Sequence, residues 1–129
     1  MHLGCLGILW VGASGPALAV AAGLYGLRMF AITAFYHRYF SHKSFKTSRV
    51  FQFVLALLGT TAAQRDPLWW ASHHRIHHQT ADTPDDVHSP RQYGFWWAHI
   101  GWVMKRELME TRFEKIRDFA KYPELMWLN

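Results

Sequence analysis

The sequence predicts an all-α, membrane-embedded helical protein, and three observations carry that prediction. No charged residue occurs between Met1 and Leu27. The 21 residues from Pro16 to Tyr36 hold one charge, Arg28; at ~1.5 Å per residue they reach roughly 31 Å, enough for a hydrocarbon core of about 30 Å. Six of the nine histidines lie in two groups, on either side of about thirty mostly apolar residues.

With 129 residues the chain is one domain at most, 50% of it apolar and with seven tryptophans. Its first six charges, Arg28, Arg38, Lys43, Lys46, Arg49 and Arg65, are all positive. An apolar run succeeded by basic residues is the positive-inside signature, which places the chain beyond Arg28 on the cytoplasmic side. Nucleic acid is not expected as a partner, because there is no charge-rich helix and no basic, aromatic-interleaved soluble surface. Cys5 is the one cysteine, which excludes an intrachain disulfide and the common cysteine-based zinc sites. A cleavable signal peptide is rejected as well. Ala17-Leu18-Ala19 resembles a cleavage site, but the start has no basic residues and the apolar character runs on past it.

In order, residues 1–12 are apolar but too short to span a bilayer, and read as the stub of a truncated transmembrane helix. Ser14-Gly15-Pro16 makes a turn into the next helix, with proline suited to its first position. That helix is expected over 16–42, crossing the membrane and running on into the cytosol with the first histidine group; the competing reading is a buried helix of a soluble core. Lys43, Lys46 and Arg49 then meet anionic lipid headgroups. Val50 to Ala63 is uncharged but only 14 residues long, too short to cross, so 49–66 is expected as an interfacial amphipathic helix stopped by Gln64-Arg65-Asp66-Pro67. A second argument agrees: histidine groups that share a site need both ends of this segment on one side of the membrane.

Residues 67–129 are expected to form a cytoplasmic region carrying the second histidine group. Its loop Gln79 to Pro90 holds Asp85, Asp86 and His88, which either reach a metal or hold ligand imidazoles from behind, or are turn chemistry alone. Phe95-Trp96-Trp97 to Trp102 suits a membrane surface, and His99 reads as structural. Apolar residues at 104, 108, 113, 116 and 119/120 predict an amphipathic helix over Val103 to Tyr122, stopped by Pro123. At its start, Lys105 and Arg106 are either a solvated pair or a contact for a phosphate-bearing substrate head. There are no internal repeats.

The chemistry sits in the histidines, since neutral imidazole is the commonest protein ligand for borderline transition metals. The groups are His37-Arg38-Tyr39-Phe40-Ser41-His42 and His73-His74-Arg75-Ile76-His77-His78. Positions 74, 77 and 78 fall within about 100° on an ideal helix and converge. His73 also pairs with His77 at four residues, so spacing does not choose between 73 and 74. Five residues place His37 and His42 about 140° apart, so they share one ion only where the helix ends or distorts. Two neighbouring ions suit that spacing better.

Arg28 to His42, Trp70 to His78 and Phe95 to Trp102 together resemble the integral-membrane acyl-CoA (stearoyl-CoA type, delta-9) fatty acid desaturases. The resemblance covers nearly the whole chain and includes His-x4-His and His-x2-His-His boxes with their separation. It implies a partial desaturase fold and a non-haem di-iron centre, two iron ions, with His37, His42, His74, His77 and His78 as ligands and His73 outside the set. It further implies that Gln64 and Trp70 shape a bend in an acyl tunnel beside the metals. The family has a third His-x2-His-His box, a further histidine and a water-bridging asparagine beyond another pair of spans. On that pattern the chain is expected to be an N-terminal fragment, inactive alone, with five of nine histidine ligands. Ser72 and His73 stand where animal members carry an Arg-Asp pair that touches the CoA head, which leaves CoA or another acyl carrier open.

The expected reaction is insertion of a cis double bond into a fatty acyl chain. No acid or base side chain attacks an unactivated methylene, so such a protein borrows a metal centre that activates O2 as co-substrate. Electrons come from outside, since no flavin, haem or iron-sulfur motif is present; the resemblance implies a ferredoxin or a cytochrome b5-like donor. The implied setting is an integral membrane, the inner or plasma membrane in a bacterium, with membrane lipids as neighbours. A histidine-box hydroxylase or ketolase, and a non-catalytic truncated membrane protein, are the alternatives. Zinc hydrolysis would want a His-Glu-x2-His carboxylate, which is missing.

Overall fold

Ser14 caps the first long helix by accepting a hydrogen bond from the Ala17 N–H at 3.3 Å, with Pro16 in the opening turn. This helix, α2 (Gly15–Phe30), comes after a 3₁₀ turn (His2–Gly7) and a single α-turn, α1 (Ile8–Val11). The computed structural model describes residues 2–129, so Met1 of the expected 1–12 stub lies outside the described residues. Among them every regular element is helical, as the all-α expectation requires.

The α2 side chains are exposed along its whole length although its sequence is apolar, with Leu18, Val20, Tyr25 and Phe30 all more than half exposed. A helix with no packed face in water would have nothing to stabilise it beyond its own short-range bonds. Lipid supplies the missing partner. Continuous with it runs a wider π-helical segment, Ala31–Ser41. Together Gly15–Ser41 is the one helix among the described residues long and apolar enough to cross a membrane. We take the chain to be membrane-associated on that ground.

The π segment is the hub of the core. Ala31, Ile32, Phe35, Tyr36, Tyr39 and Phe40 are buried, and with Leu55, Ala56, Leu68, Ala71, Ile116, Phe119 and Leu125 they form one cluster. Two helices lie against it. The first is α3 (Arg49–Thr60), capped by Ser48, which buries Gln52, Leu55, Ala56 and Gly59 at helical spacing. Its other face, Val50, Phe51, Val54 and Leu57, is equally apolar and exposed.

Where α3 crosses the π segment the contact is close, and a Cβ added at Gly59 would overlap the Tyr36 ring. That ring is fully buried, and its hydroxyl donates to the Arg65 carbonyl at 3.0 Å. It has nowhere to go. Gly59→Ala is therefore expected to lower the melting midpoint in detergent, because overpacking costs about 1–3 kcal/mol and outweighs the ~1 kcal/mol alanine gains over glycine in a helix. Gly26→Ala, where an added Cβ meets nothing within 4 Å, is the control and should not melt lower. Equal midpoints for the two variants would refute the close crossing.

Two expected boundaries are corrected. The helix expected over 49–66 ends at Thr60, because Asp66 and Pro67 open the next helix instead of stopping the last. Asp66 accepts from the N–H groups of Leu68 and Trp69, each at 2.9 Å, and Pro67 occupies the first turn of α4 (Pro67–Thr80). After α5 (Pro90–Tyr93) and a short π turn (Trp97–Gly101), the single amphipathic helix expected over Val103–Tyr122 is absent. In its place are short 3₁₀ turns, then α6 (Arg117–Ala120) and α7 (Pro123–Met126). The backbone groups a helix would use internally are taken by side chains from elsewhere. The Trp69 indole donates to the Leu108 carbonyl at 2.9 Å, Arg65 donates to the Met109 carbonyl at 2.6 Å, and the Arg112 N–H donates to Ser72 Oγ at 3.2 Å. Apolar spacing survives as inward-facing Ile116 and Phe119 on an irregular strap.

Candidate metal centre

Five residues apart on an α-helix, His37 and His42 would diverge; on the π segment they do not. Its i to i+5 bonding returns the chain one turn later, and the His42 N–H donates to the His37 carbonyl at 3.1 Å. The two Nε2 atoms then lie 3.1 Å apart. Ser41 reinforces the wide turn, its Oγ donating to the Tyr36 carbonyl at 2.9 Å.

From α4 come His74 and His78, one turn apart. His74 Nε2 is 3.3 Å from His42 Nε2 and 3.0 Å from His78 Nε2. A ligand nitrogen from each of His37, His42, His74 and His78 lies within 4.8 Å of the other three. The donor set fits a metal. Nitrogens this close either share protons as N–H···N bonds or turn their lone pairs to a common cation, and one ion among the four uses every lone pair at once. Bonds of ~2.0–2.1 Å to one ion place tetrahedral ligand nitrogens roughly 3.3 Å apart, close to the separations seen here.

Surroundings also keep His74 and His42 uncharged. Burial, then the surrounding imidazoles of His37, His78, His42 and His77, push His74 down to about 3. Burial, with His78 and Arg75 after it, lowers His42 too. Deprotonated imidazole is the form that binds metal.

His77, expected as the fifth ligand, does not join these four. It turns to the loop after α4, where its Nδ1 lies 3.1 Å from Asp86 Oδ2, while His88 Nδ1 lies 2.8 Å from Asp86 Oδ1. These three form a second group of potential ligand atoms within 4.8 Å. Burial would raise the Asp86 carboxyl, but the Asp82 N–H and the two imidazoles hold it at about 2. His73 joins neither group; it is buried against Trp69, with Nδ1 3.0 Å from the Trp69 carbonyl. His99 stacks on Phe95, their rings 5.5 Å apart.

Of the residues expected to meet substrate, Gln64 and Trp70 stand together beside the cluster. The Trp70 indole donates to Gln64 Oε1 at 3.1 Å and stacks on His74 at 4.7 Å. Arg106 lies on a separate exposed turn (Arg106–Leu108) and joins none of these groups. A cleft of about 850 Å³, lined in part by Thr60, Arg65, Met109 and Phe113, contains none of the histidines.

One residue to which the sequence pattern assigns no role holds the two boxes together. Arg75 donates from all five of its N–H positions: Nε to the Ser41 carbonyl at 3.0 Å, Nη2 to the Phe40 carbonyl at 2.7 Å, Nη1 to the Lys115 carbonyl at 2.8 Å, and a forked pair to Asp118 at 2.9 and 3.1 Å. Burial would raise the Asp118 carboxyl, yet Arg75 and Lys43 hold it below its usual range. A lone arginine inside a histidine motif carries no such signal, because its partners lie more than thirty residues away on both sides.

A family model described as fatty acid desaturase matches residues 14–128. Over 91 residues the chain is 45% identical to the icosanoyl-CoA 5-desaturase of Limnanthes douglasii, covering 70% of this chain and 24% of that one. It is 40% identical over 133 residues to the sn-1 stearoyl-lipid 9-desaturase of Anabaena variabilis, covering 99% of this chain and 48% of the relative. To the Delta-9 acyl-lipid desaturase 1 of Arabidopsis thaliana it is 43% identical over 88 residues, covering 68% and 28%. The chain thus spans between about a quarter and a half of the length of these curated relatives. No solved structure is significantly similar to it. Histidine boxes folded onto one another and a family match running through both of them lead to one conclusion: the chain belongs to the fatty acid desaturase family.

Proposed function

We propose that this chain supplies the first two histidine boxes of a di-iron centre that desaturates fatty acyl chains with O2. The observation that carries the reading is the meeting of four imidazoles from segments 32 residues apart in sequence. His37, His42, His74 and His78 hold one iron, and His77, on the flank of the same helix, faces a second.

Iron bound there supplies the O2-dependent oxidation that side chains alone lack. The protein's part is placement. The π turn and α4 present uncharged nitrogens, and Trp70, stacked on His74 and tied to Gln64, walls the side along which an acyl chain passes, so that two neighbouring carbons come within reach. The exposed apolar faces of α2 and α3 keep the site at the lipid surface, where such chains are found. Arg106 is exposed, with no ion pair among the described residues, and is available to a phosphate-bearing acyl carrier. The relatives' names include both CoA-linked and lipid-linked substrates, so both carriers fit. The electrons come from a ferredoxin or a cytochrome b5-like protein, and the histidines face the cytoplasm.

Iron content tests this directly. The chain purified in detergent from iron-supplied cells is expected to hold at least one iron ion, at the four-imidazole site, and His74→Ala to lose it. A chain without iron would sink the proposal.

A further inference from the structure

The second histidine-carboxylate group has a geometry that assigns it a task. Asp86 is 1% exposed and belongs to a group of ligand atoms separate from that of His37, His42, His74 and His78. Each of its oxygens is engaged by a different ring, Oδ2 by His77 Nδ1 at 3.1 Å and Oδ1 by His88 Nδ1 at 2.8 Å. Backbone donors complete the set: the Asp82 N–H reaches Oδ2 at 3.0 Å and the His88 N–H reaches Oδ1 at 3.3 Å. The two rings sit at hydrogen-bond distance from different oxygens of the carboxylate rather than converging on one of them. The carboxylate is splayed between two rings, as an acceptor of two N–H groups.

We infer that Asp86 is a positioning residue: it fixes His77 with the proton on Nδ1 and the lone pair on Nε2, aimed at a metal ion. A carboxylate has no proton to give, so an imidazole nitrogen 3.1 Å from it is the donor, and the other nitrogen is left bare. His88 is held the same way from the opposite side, and its ring packs on His77 at 4.4 Å and on Trp102 at 4.7 Å. That packing stops the His77 ring from turning over. The same carboxylate closes the turn after α4 through the Asp82 N–H, so ring orientation is locked to the end of the helix carrying the second box. Carboxylates in this position behind metal-bound histidines typically hold 10–100-fold of the metal affinity. This inference rests on the reading of His77 as a ligand of the second ion, and the test separates the two.

The chain in detergent, stripped of metal and labelled with ¹⁵N-histidine, is compared as wild type, Asp86→Asn, Asp86→Glu and His77→Gln. Imidazole ¹⁵N shifts report the tautomer, and Co(II) titration monitored by its visible absorption reports the sites. In the wild type the His77 signals, identified by their loss in His77→Gln, should show a protonated Nδ1 and a bare Nε2. Asp86→Asn should shift the ring toward the other tautomer and weaken the second Co(II) equivalent about 10- to 100-fold, leaving the first equivalent unchanged. Asp86→Glu should restore part of both.

A wild-type His77 with its proton on Nε2 overturns the inference. So does an Asp86→Asn variant that binds both equivalents like wild type, or one that weakens both equally, the mark of a merely structural role. If His77→Gln keeps both equivalents, or the wild type takes up only one, it is the ligand role of His77 that fails.

Discussion

Replacing Arg75 with methionine is expected to lower the melting midpoint of the detergent-purified chain by roughly 10 °C. Methionine fills similar space but donates nothing, so the carbonyls of Phe40, Ser41 and Lys115 lose their donor and Asp118 loses its forked partner. Breaking a buried pair on one side costs about 3–5 kcal/mol. The lower end applies here, since Arg75 is 17% and Asp118 27% exposed and Lys43 still reaches Asp118 at 2.6 Å. In a domain of this size each kcal/mol moves the midpoint by about 3–6 °C. Lysine should recover little, because an ammonium cannot serve carbonyls and a carboxylate in three directions at once. The loss should also reach the site: Phe40 and Ser41 end the π turn that brings His42 to His37, so metal affinity should fall with stability. Midpoints for Arg75→Met and wild type that cannot be told apart would remove Arg75 from this role.

How much of this is legible in the sequence depends on what each feature rests on. The spanning segment is readable because it is a matter of length and hydropathy. His74 and His78 are readable as a pair because a four-residue step on an α-helix is fixed geometry. His37 and His42 are only half readable: ideal helical spacing separates them, and whether the helix distorts is decided by what packs on it. Here Tyr36, Phe40 and Tyr39 are buried among Leu68, Phe119 and Leu125, and Arg75 fastens the end of the wide turn. The strap after Trp102 misleads for the opposite reason. Its apolar spacing is genuine, but Trp69, Arg65 and Ser72 bind its backbone groups from another element, and tertiary hydrogen bonds override the local pattern. Asp86 and His88 lie between turn chemistry and support of a ligand because they do both, closing the turn through the Asp82 N–H while touching His77.

Acid should destabilise the metal-free chain, and the direction is set by His74. Its folded value of about 3 lies below the usual histidine value of about 6.5, so the unfolded chain takes up a proton that the folded chain refuses. The stabilisation is complete above about pH 6.5 and drains away as the pH falls toward 3. His42 and His73, both lowered chiefly by burial, act in the same sense and steepen the loss. Asp118, held low by Arg75 and Lys43, adds its own loss nearer the carboxylate range. Melting midpoints of the EDTA-treated protein should therefore drop steadily between about pH 7.5 and pH 4.5, a window set by the gap between those two histidine values. The drop should be smaller in His74→Ala, which no longer carries the most strongly lowered imidazole. Metal should oppose the loss, since an ion that binds the folded cluster and not the unfolded chain stabilises by mass action. A wild-type midpoint independent of pH across that range, or a His74→Ala profile as steep as the parent's, would mean that the four imidazoles are not packed against one another in solution, and the metal site built on their meeting would fall with them.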